Sequence, residues 1–267
     1  MPRATVADIE IYYERAGDGP PLLFIGGSGG DLRHAPGVFD GPLPHRFEVL
    51  AYDQRGLGRT TKPGRDYTMQ EYGDDAAGLL EAVGWRRARV MGVSFGGMVA
   101  QELAIRHPDR VERLVLACTS SGGRGGASYP LHDLADLEPD ERIRRHIGLS
   151  DVANDENWQR ENPDAVRVLV DFARARQPPV DDAAALAGAR RQLEARRHHD
   201  TWERLSRIRC PTLVCGGRRD GIAPPPNQEA LVGRIAGAEL AMFDGGHLFL
   251  MQDRAAFPHI IDFLLAS

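Results

Sequence analysis

Three side chains of this 267-residue chain, Ser94, Asp220 and His247, form a set that could carry out nucleophilic catalysis. A serine hydroxyl is a weak nucleophile until a base takes its proton, and a neutral imidazole suits that task near neutral pH. The imidazolium that forms needs a carboxylate to hold its tautomer and offset its charge. Ser94 lies in Gly92-Val93-Ser94-Phe95-Gly96. A strand-like run, Ala88–Met91, precedes it, and a helical pattern follows with Phe95, Met98, Val99 and Leu103 on one face. A sharp strand-to-helix turn strains the backbone at the serine and excludes bulk two residues to either side. The turn lifts the hydroxyl clear of the sheet edge. It also aims the unbonded N–H groups and positive dipole end of the new helix at whatever is attacked. By itself the motif also reads as a Gly-rich turn, so the partners decide.

The elements that must position these residues follow from the apolar pattern. Ala7–Glu14 alternates and reads as an edge strand. Leu22–Ile25, Phe47–Tyr52, Val111–Cys118, Pro211–Cys215 and Glu239–Phe243 read as further strands, with helical stretches between most of them. Thr68 or Asp66 is placed to cap a helix running to about Val83. The helix after Ser94 closes at His107-Pro108, Asn227–Ile235 is another helix, and Asp253 is placed to cap a last one reaching Leu265. Strands that are near-continuous apolar runs, alternating with helices, indicate a mostly parallel sheet covered on both faces. In such a sheet the carboxyl ends of the strands share one edge, where ligands bind. Ser94, Asp220 and His247 all follow strands at that edge, the last two beside glycines (Gly217, Gly221, Gly245 and Gly246).

Two other strand ends carry glycines. Gly26-Gly27-Ser28-Gly29-Gly30 could expose backbone N–H groups to a ligand. It lacks both the Gly-x-Gly-x-x-Gly spacing and the closing Lys-Ser/Thr of phosphate loops, and an oxyanion-binding loop fits better. Asp53-Gln54-Arg55-Gly56-Leu57-Gly58-Arg59-Thr60 is the second.

From Thr119 the pattern changes. Thr119–Ala127 reads as a Ser/Gly-rich linker. Residues 129–200 are helical in composition, with breaks at Pro139, Pro163 and Pro178-Pro179, and read as an inserted helical lid. This divides the chain into a core of residues 1–120 and 201–267 and a lid of residues 121–200. The mixed charge of the lid reads as solvated helix faces, the exception being an arginine turned inward to hold a substrate carboxylate. Tyr129, Trp158 and Phe172 are lid aromatics that could cover a substrate, with ordinary packing the competing reading. Among the other histidines, His107 and His259 read as structural. His34, His198 and His199 could border a pocket but read as solvent-exposed.

Composition narrows the function classes. The net charge is −5, so no broad attraction to nucleic acid or anionic membrane is expected. No apolar run approaches the roughly 18 residues of a membrane span. Asp8 and Glu10 fall where a signal peptide would have its apolar core, which points to a cytoplasmic protein. The three cysteines, Cys118, Cys210 and Cys215, are odd in number and read as free thiols. Their spacing matches no zinc site.

Taken together, Gly92-Val93-Ser94-Phe95-Gly96-Gly97, Asp53-Gln54-Arg55-Gly56-Leu57-Gly58, Pro211-Thr212-Leu213-Val214 with Asp220, and Gly246-His247 resemble the lid-bearing serine branch of the α/β-hydrolase fold family. The order Ser…Asp…His is that family's order. The resemblance spans residues ~7 to ~265. Within the branch the chain is similar to 3-oxoadipate enol-lactone hydrolases and polyketide methyl esterases. The resemblance implies an α/β fold whose lid is inserted after the sixth strand. It makes Ser94 the nucleophile, His247 the base, Asp220 the acid, and the N–H groups of Phe95 and Ser28 the oxyanion hole. Gly27 and Leu248, adjoining that loop and His247, join Tyr129, Trp158 and Phe172 as expected substrate contacts. The implied reaction is hydrolysis of a small carboxylic ester or lactone through an acyl-enzyme, with no metal or organic cofactor. Carbon–carbon hydrolysis or perhydrolysis by the same three residues is the alternative, and a non-catalytic ligand receptor a weaker one. One departure stands out: the family's usual His-Gly after the first buried strand is Gly26-Gly27 here, so whatever the ring does for loop rigidity must come from elsewhere.

Overall fold

A computed structural model describes residues 2–134, 137–178 and 181–266. The apolar runs form β1 (Arg3–Val6), β2 (Ile9–Ala16), β3 (Pro21–Ile25), β4 (Glu48–Tyr52), β5 (Ala88–Val93), β6 (Val111–Ala117), β7 (Thr212–Gly217) and β8 (Glu239–Phe243). They pair in one sheet, in the order β1-β2-β4-β3-β5-β6-β7-β8. β1–β2 and β2–β4 are antiparallel, and every pair from β4–β3 to β7–β8 is parallel. The expected single edge strand is a hairpin instead. Its turn is Ala7-Asp8, with Val6 opposite Ile9 and Ala7 at φ 48°. No glycine marks this reversal, so the alternating pattern runs through it.

Successive residues of the central strands face opposite sides, as strand geometry requires. Leu23, Ile25, Val90, Leu114, Leu116 and Val214 join one apolar cluster with helices α1 (Met69–Ala82) and α2 (Phe95–Arg106). Leu22, Met91, Val115, Leu213 and Cys215 join a second cluster on the other face, with α9 (Ala256–Leu265). α2 is buried along its whole length from Phe95 to Ile105. Its polar members are partnered: Gln101 donates to Ser120 O (3.0 Å) and accepts from Thr201 Oγ1 (2.6 Å), and Glu102 holds Arg204 through both oxygens. α1 starts at Thr68, whose hydroxyl accepts from Glu71 N while Glu71 reaches back to Thr68 N, a capping box.

Between β6 and β7 the chain leaves the sheet as α3 (Pro139–Ser150), α4 (Glu156–Glu161), α5 (Pro163–Arg174) and α6 (Ala183–Arg197). Pro139 and Pro163 stand at first helical positions, where a missing N–H costs nothing, so they start helices rather than break them. Pro179 lies outside the described residues. Ile143, Ile147, Val166 and Val170 form a small core of their own here. The segment's two ends meet, because Gly122 and Asp200 pair as an isolated antiparallel bridge. Thr119–Ala127 is not a loose linker: Thr119, Ser120 and Ser121 are buried at the sheet edge. α7 (Pro225–Arg234), β8, α8 (Phe249–Gln252) and α9 complete the chain. Asp253 does not cap α9, whose N-cap is Ala255. It closes the preceding turn, accepting from Ala255 N and Asp244 N at 2.9 Å each. Among the described residues no helix is long and apolar enough to cross a membrane.

Candidate active site

Ser94 sits between β5 and α2 with φ 56° and ψ −116°, a conformation that costs a non-glycine residue on the order of 1–3 kcal/mol. The close fit of β5, α2 and β3 enforces it. A Cβ on Gly92 would lie 2.3 Å from Gly96 O, and one on Gly96 would lie 2.0 Å from Ile25 O. Both glycines of the motif are therefore steric necessities.

His247 Nε2 lies 2.9 Å from Ser94 Oγ, and His247 Nδ1 lies 2.8 Å from Asp220 Oδ2. With Nδ1–H donating to the carboxylate, the Nε2 lone pair faces the serine hydroxyl, the tautomer that general-base catalysis requires. Asp220 is fully buried, and its other oxygen accepts from Ile222 N (2.8 Å) and Ala223 N (2.9 Å), which fixes the carboxylate plane. Cys118, at the end of β6 with φ 42°, completes the surroundings. One ligand atom from each of Cys118, Asp220 and His247 lies within 4.8 Å of the others. Two of the three are already bonded to each other, and burial, with Asp220 beside it, pushes the Cys118 thiol up, so it stays protonated.

The Gly26–Gly30 loop comes to the same place. A Cβ on Gly27 would lie 3.5 Å from Ser94 Cβ. Among the described residues, no hydrogen bond engages the N–H of Gly27, Ser28 or Phe95. Two glutamines brace the loop. Gln54 Nε2 donates to Gly26 O (2.9 Å), and Gln192 Oε1 accepts from Gly29 N (2.8 Å). They supply the rigidity that the replaced histidine leaves open. The second Gly-rich turn supports the first: Asp53, buried, accepts from Leu32 N and Arg59 N at 2.8 Å each.

Residues 20–253 match the family model described as the alpha/beta hydrolase fold. The chain belongs to the alpha/beta hydrolase fold family. This alpha/beta hydrolase is 31% identical over 286 residues to a 2-hydroxymuconate semialdehyde hydrolase of Pseudomonas sp. (strain CF600), covering 98% of this chain and 92% of that protein. It is 29% identical over 255 residues to a poly(3-hydroxyalkanoate) depolymerase of Ectopseudomonas oleovorans, covering 91% and 84%. Its fold superposes on the crystal structure of the enol-lactonase from Burkholderia xenovorans LB400 with a TM-score of 0.79 and 27% identity, covering 99% of this chain and all of that one.

The hydrolase does not gather every expected substrate contact at the serine. Trp158 packs on Ile143, Ile147, Val166 and Val170, inside the lid's own core, because helices α3 and α5 bury one face against each other. Phe172 lies under the guanidinium of Arg176, 3.5 Å from its ring centroid. Arg176 in turn lines a cavity of about 480 Å³ with Ser28, Gly29, Tyr52 and Gln54, on a wall of the Gly26–Gly30 loop that includes none of Ser94, Asp220 and His247. Tyr129 bridges core and lid through its backbone, donating to Ile222 O (2.7 Å) and accepting from Arg196 Nη2 (2.8 Å). Leu248, next to His247, is 41% exposed. His199 is buried rather than exposed, and desolvation pushes its pKa down to about 3.

An inward arginine is present. Arg196 is 6% exposed and donates to Ser128 Oγ (2.7 Å) and Tyr129 O. Burial lowers its pKa to about 10. A residue the sequence reading passed over is His146 of α3. Solvent reaches its ring, yet protein surrounds it closely enough to push its pKa down to about 4, with His247 contributing to that shift. Its Nδ1 lies 3.1 Å from Ser150 Oγ. A histidine on an exposed-looking, Arg-rich helix gives no sequence signal of this placement. Gln192, in mid-helix and 163 residues from its partner Gly29, gives none either.

Proposed function

We propose that the protein is a serine hydrolase that cleaves a carboxylic ester or lactone of a small organic molecule through an acyl-enzyme. The observation that carries this reading is the unbroken line Ser94 Oγ–His247 Nε2 (2.9 Å) and His247 Nδ1–Asp220 Oδ2 (2.8 Å). His247 takes the proton of Ser94 as the oxygen attacks the carbonyl, then gives it to the departing alkoxide. The tetrahedral oxyanion is met by Phe95 N–H, at the positive end of α2, and by Ser28 N–H of the braced glycine loop. Water activated by His247 then releases the acid. In a lactone the alkoxide stays tethered to the acyl group, so a single open-chain hydroxy acid leaves. Gly27, Tyr129, Phe172 and Leu248 remain the proposed substrate contacts, and the substrate is a small molecule rather than a nucleic acid or a membrane. The likeness to a 2-hydroxymuconate semialdehyde hydrolase supports a second reading, hydrolysis of a carbon–carbon bond beside a carbonyl by the same residues.

Turnover of p-nitrophenyl acetate with an initial burst is expected. Ser94→Ala should lower kcat by at least about 10³-fold and abolish labelling by a fluorophosphonate probe. Equal rates or equal labelling in the two proteins would sink the serine assignment. A panel of esters, lactones and vinylogous diketones separates the two readings.

A further inference from the structure

The C-terminal end of α3 and the start of its link to α4, residues 149–152, are knitted into both loops that carry the acid and the base. His247 N donates to Ser150 O (2.5 Å), Gly221 N to Leu149 O (2.9 Å) and Val152 N to Arg219 O (3.0 Å). The side chain of Asp151 organises this seam. It is buried, and its oxygens accept from Ala153 N (3.0 Å), from Arg219 Nε (3.0 Å) and Nη2 (3.3 Å), and from Gln252 Nε2 (3.1 Å). Gln252 Oε1 then accepts from Gly246 N (2.8 Å), the peptide just before His247. Arg219 is the residue just before Asp220, and its N–H donates to Gly245 O (2.8 Å).

The backbones touch so closely that only glycine fits. A Cβ on Gly246 would lie 1.9 Å from Ser150 O, and one on Gly217 would lie 2.1 Å from Gly246 O. One carboxylate from the lid thus reaches the acid loop through Arg219 and the base loop through Gln252.

We propose that Asp151 is a positioning residue for His247, setting the imidazole between Asp220 and Ser94 from the lid side through Arg219, Gln252 and Gly246. The proposal rests on the serine-hydrolase reading for its kinetic consequences, not for its geometry. Removing an anchor of this kind lets the His247 ring drift while Ser94 and Asp220 stay in place. A displacement of about 1 Å in a reacting group costs up to about 100-fold in rate. The groups around His247 that bear on its protonation are Asp220 and Ser94, Cys118 from the end of β6, His146 from α3, and Asp151 with Arg219 behind the loop.

The test compares wild type with Asp151→Asn, a near-isosteric change, and with Gln252→Ala, which cuts the relay from Asp151 to Gly246 but leaves the Asp151–Arg219 pair. In Asp151→Asn, kcat on p-nitrophenyl acetate should fall about 10- to 100-fold with KM within about twofold. The rate of fluorophosphonate labelling should fall in proportion, while the final labelled fraction stays complete. The acidic limb of the kcat/KM profile should move to lower pH, because a less well held imidazolium loses its proton more readily. Gln252→Ala should move the same quantities in the same direction by less, and it carries the test if Asp151→Asn does not fold. A fall in thermal midpoint and labelled fraction, with kcat per labelled site and the pH limb unchanged, would make the seam merely structural and overturn the proposal.

A readout independent of turnover is the proton resonance of His247 Nδ1–H. It should be sharp and far downfield in wild type and broadened or lost in Asp151→Asn. An unchanged resonance overturns the proposal. Absence of both turnover and labelling in wild type defeats the serine-hydrolase reading instead, and leaves this resonance to decide the role of Asp151.

Discussion

The sheet and the helical segment between β6 and β7 hold their residues by opposite means. Ser94, Asp220 and His247 stand on strand ends backed by two large apolar clusters, one on each face, whose members are almost entirely buried. Between β6 and β7, Val152, Val168 and Leu186 are exposed apolar side chains, α3 and α5 share a core of four buried residues, and α6 adds Ala195 to the main cluster. What fixes them over the site is a few directed polar contacts: Gln192 to Gly29, Asp151 to Arg219 and Gln252, and Arg196 to Ser128 and Tyr129. Burial gives rigidity everywhere at once, whereas a hydrogen bond gives it at one point. Ser94, Asp220 and His247 therefore rest mainly on the first, and the helices between β6 and β7 mainly on the second.

The contrast can be broken most forcefully in the sheet. Arg55, 2% exposed, is held by Asp75 of α1 through two bonds of 2.7 and 2.8 Å and by Asp8 at 2.9 Å. Asp75→Ala leaves that buried guanidinium with only the exposed Asp8 as its partner and is expected to cost up to about 3–5 kcal/mol in urea unfolding. A loss under about 1 kcal/mol would show that the turn after β4 is as loosely held as the lid.

Acid should act next, at the seam between the two regions. The folded chain keeps His199 neutral down to about 3, whereas the unfolded chain takes up that proton near 6.5. Stability is therefore intact above that window and falls as pH drops through it, by at most about 1.4 kcal/mol per pH unit from this group. His199→Asn should flatten the decline of the thermal midpoint between those limits, and an unchanged slope would exclude His199 as its source.

The smallest expected effect probes the lid. Gln192→Ala removes one bond to the glycine loop and should lower kcat about tenfold with the midpoint almost unmoved. A large drop in midpoint instead would mean that Gln192 holds α6 to the core as much as Ala195, which already packs there.

The elbow was legible because its steric demands are written in residue types. Gly92 and Gly96 are needed by contacts of 2.3 and 2.0 Å, and any larger residue would betray a different turn. Asp220 and His247 were legible because a parallel sheet brings strand ends to one edge, so chain order alone places them. The hairpin at Ala7 was hidden because a residue without the usual turn chemistry occupies φ 48°. Trp158 misled because an amphipathic helix carries the same apolar signal whether its face meets a substrate or another helix. Gln192, His146 and Asp151 gave no signal at all. Gln192 and Asp151 act through partners far away in the chain, and a lone polar residue in a polar stretch has no periodicity to expose it.

The bridge between Gly122 and Asp200 makes the whole excursion from the sheet begin and end at one spot. Geometrically, the helices form a cartridge that could be exchanged for another without altering any strand, which suits a scaffold that changes clientele by swapping its cover. The cartridge is not inert, however. A replacement that closes the bridge but fails to present a carbonyl where Ser150 O meets His247 N would arrive with its own handicap. Transplanted helical segments should therefore succeed or fail on the backbone of residues 149–152, where α3 ends, rather than on the rest of their helices.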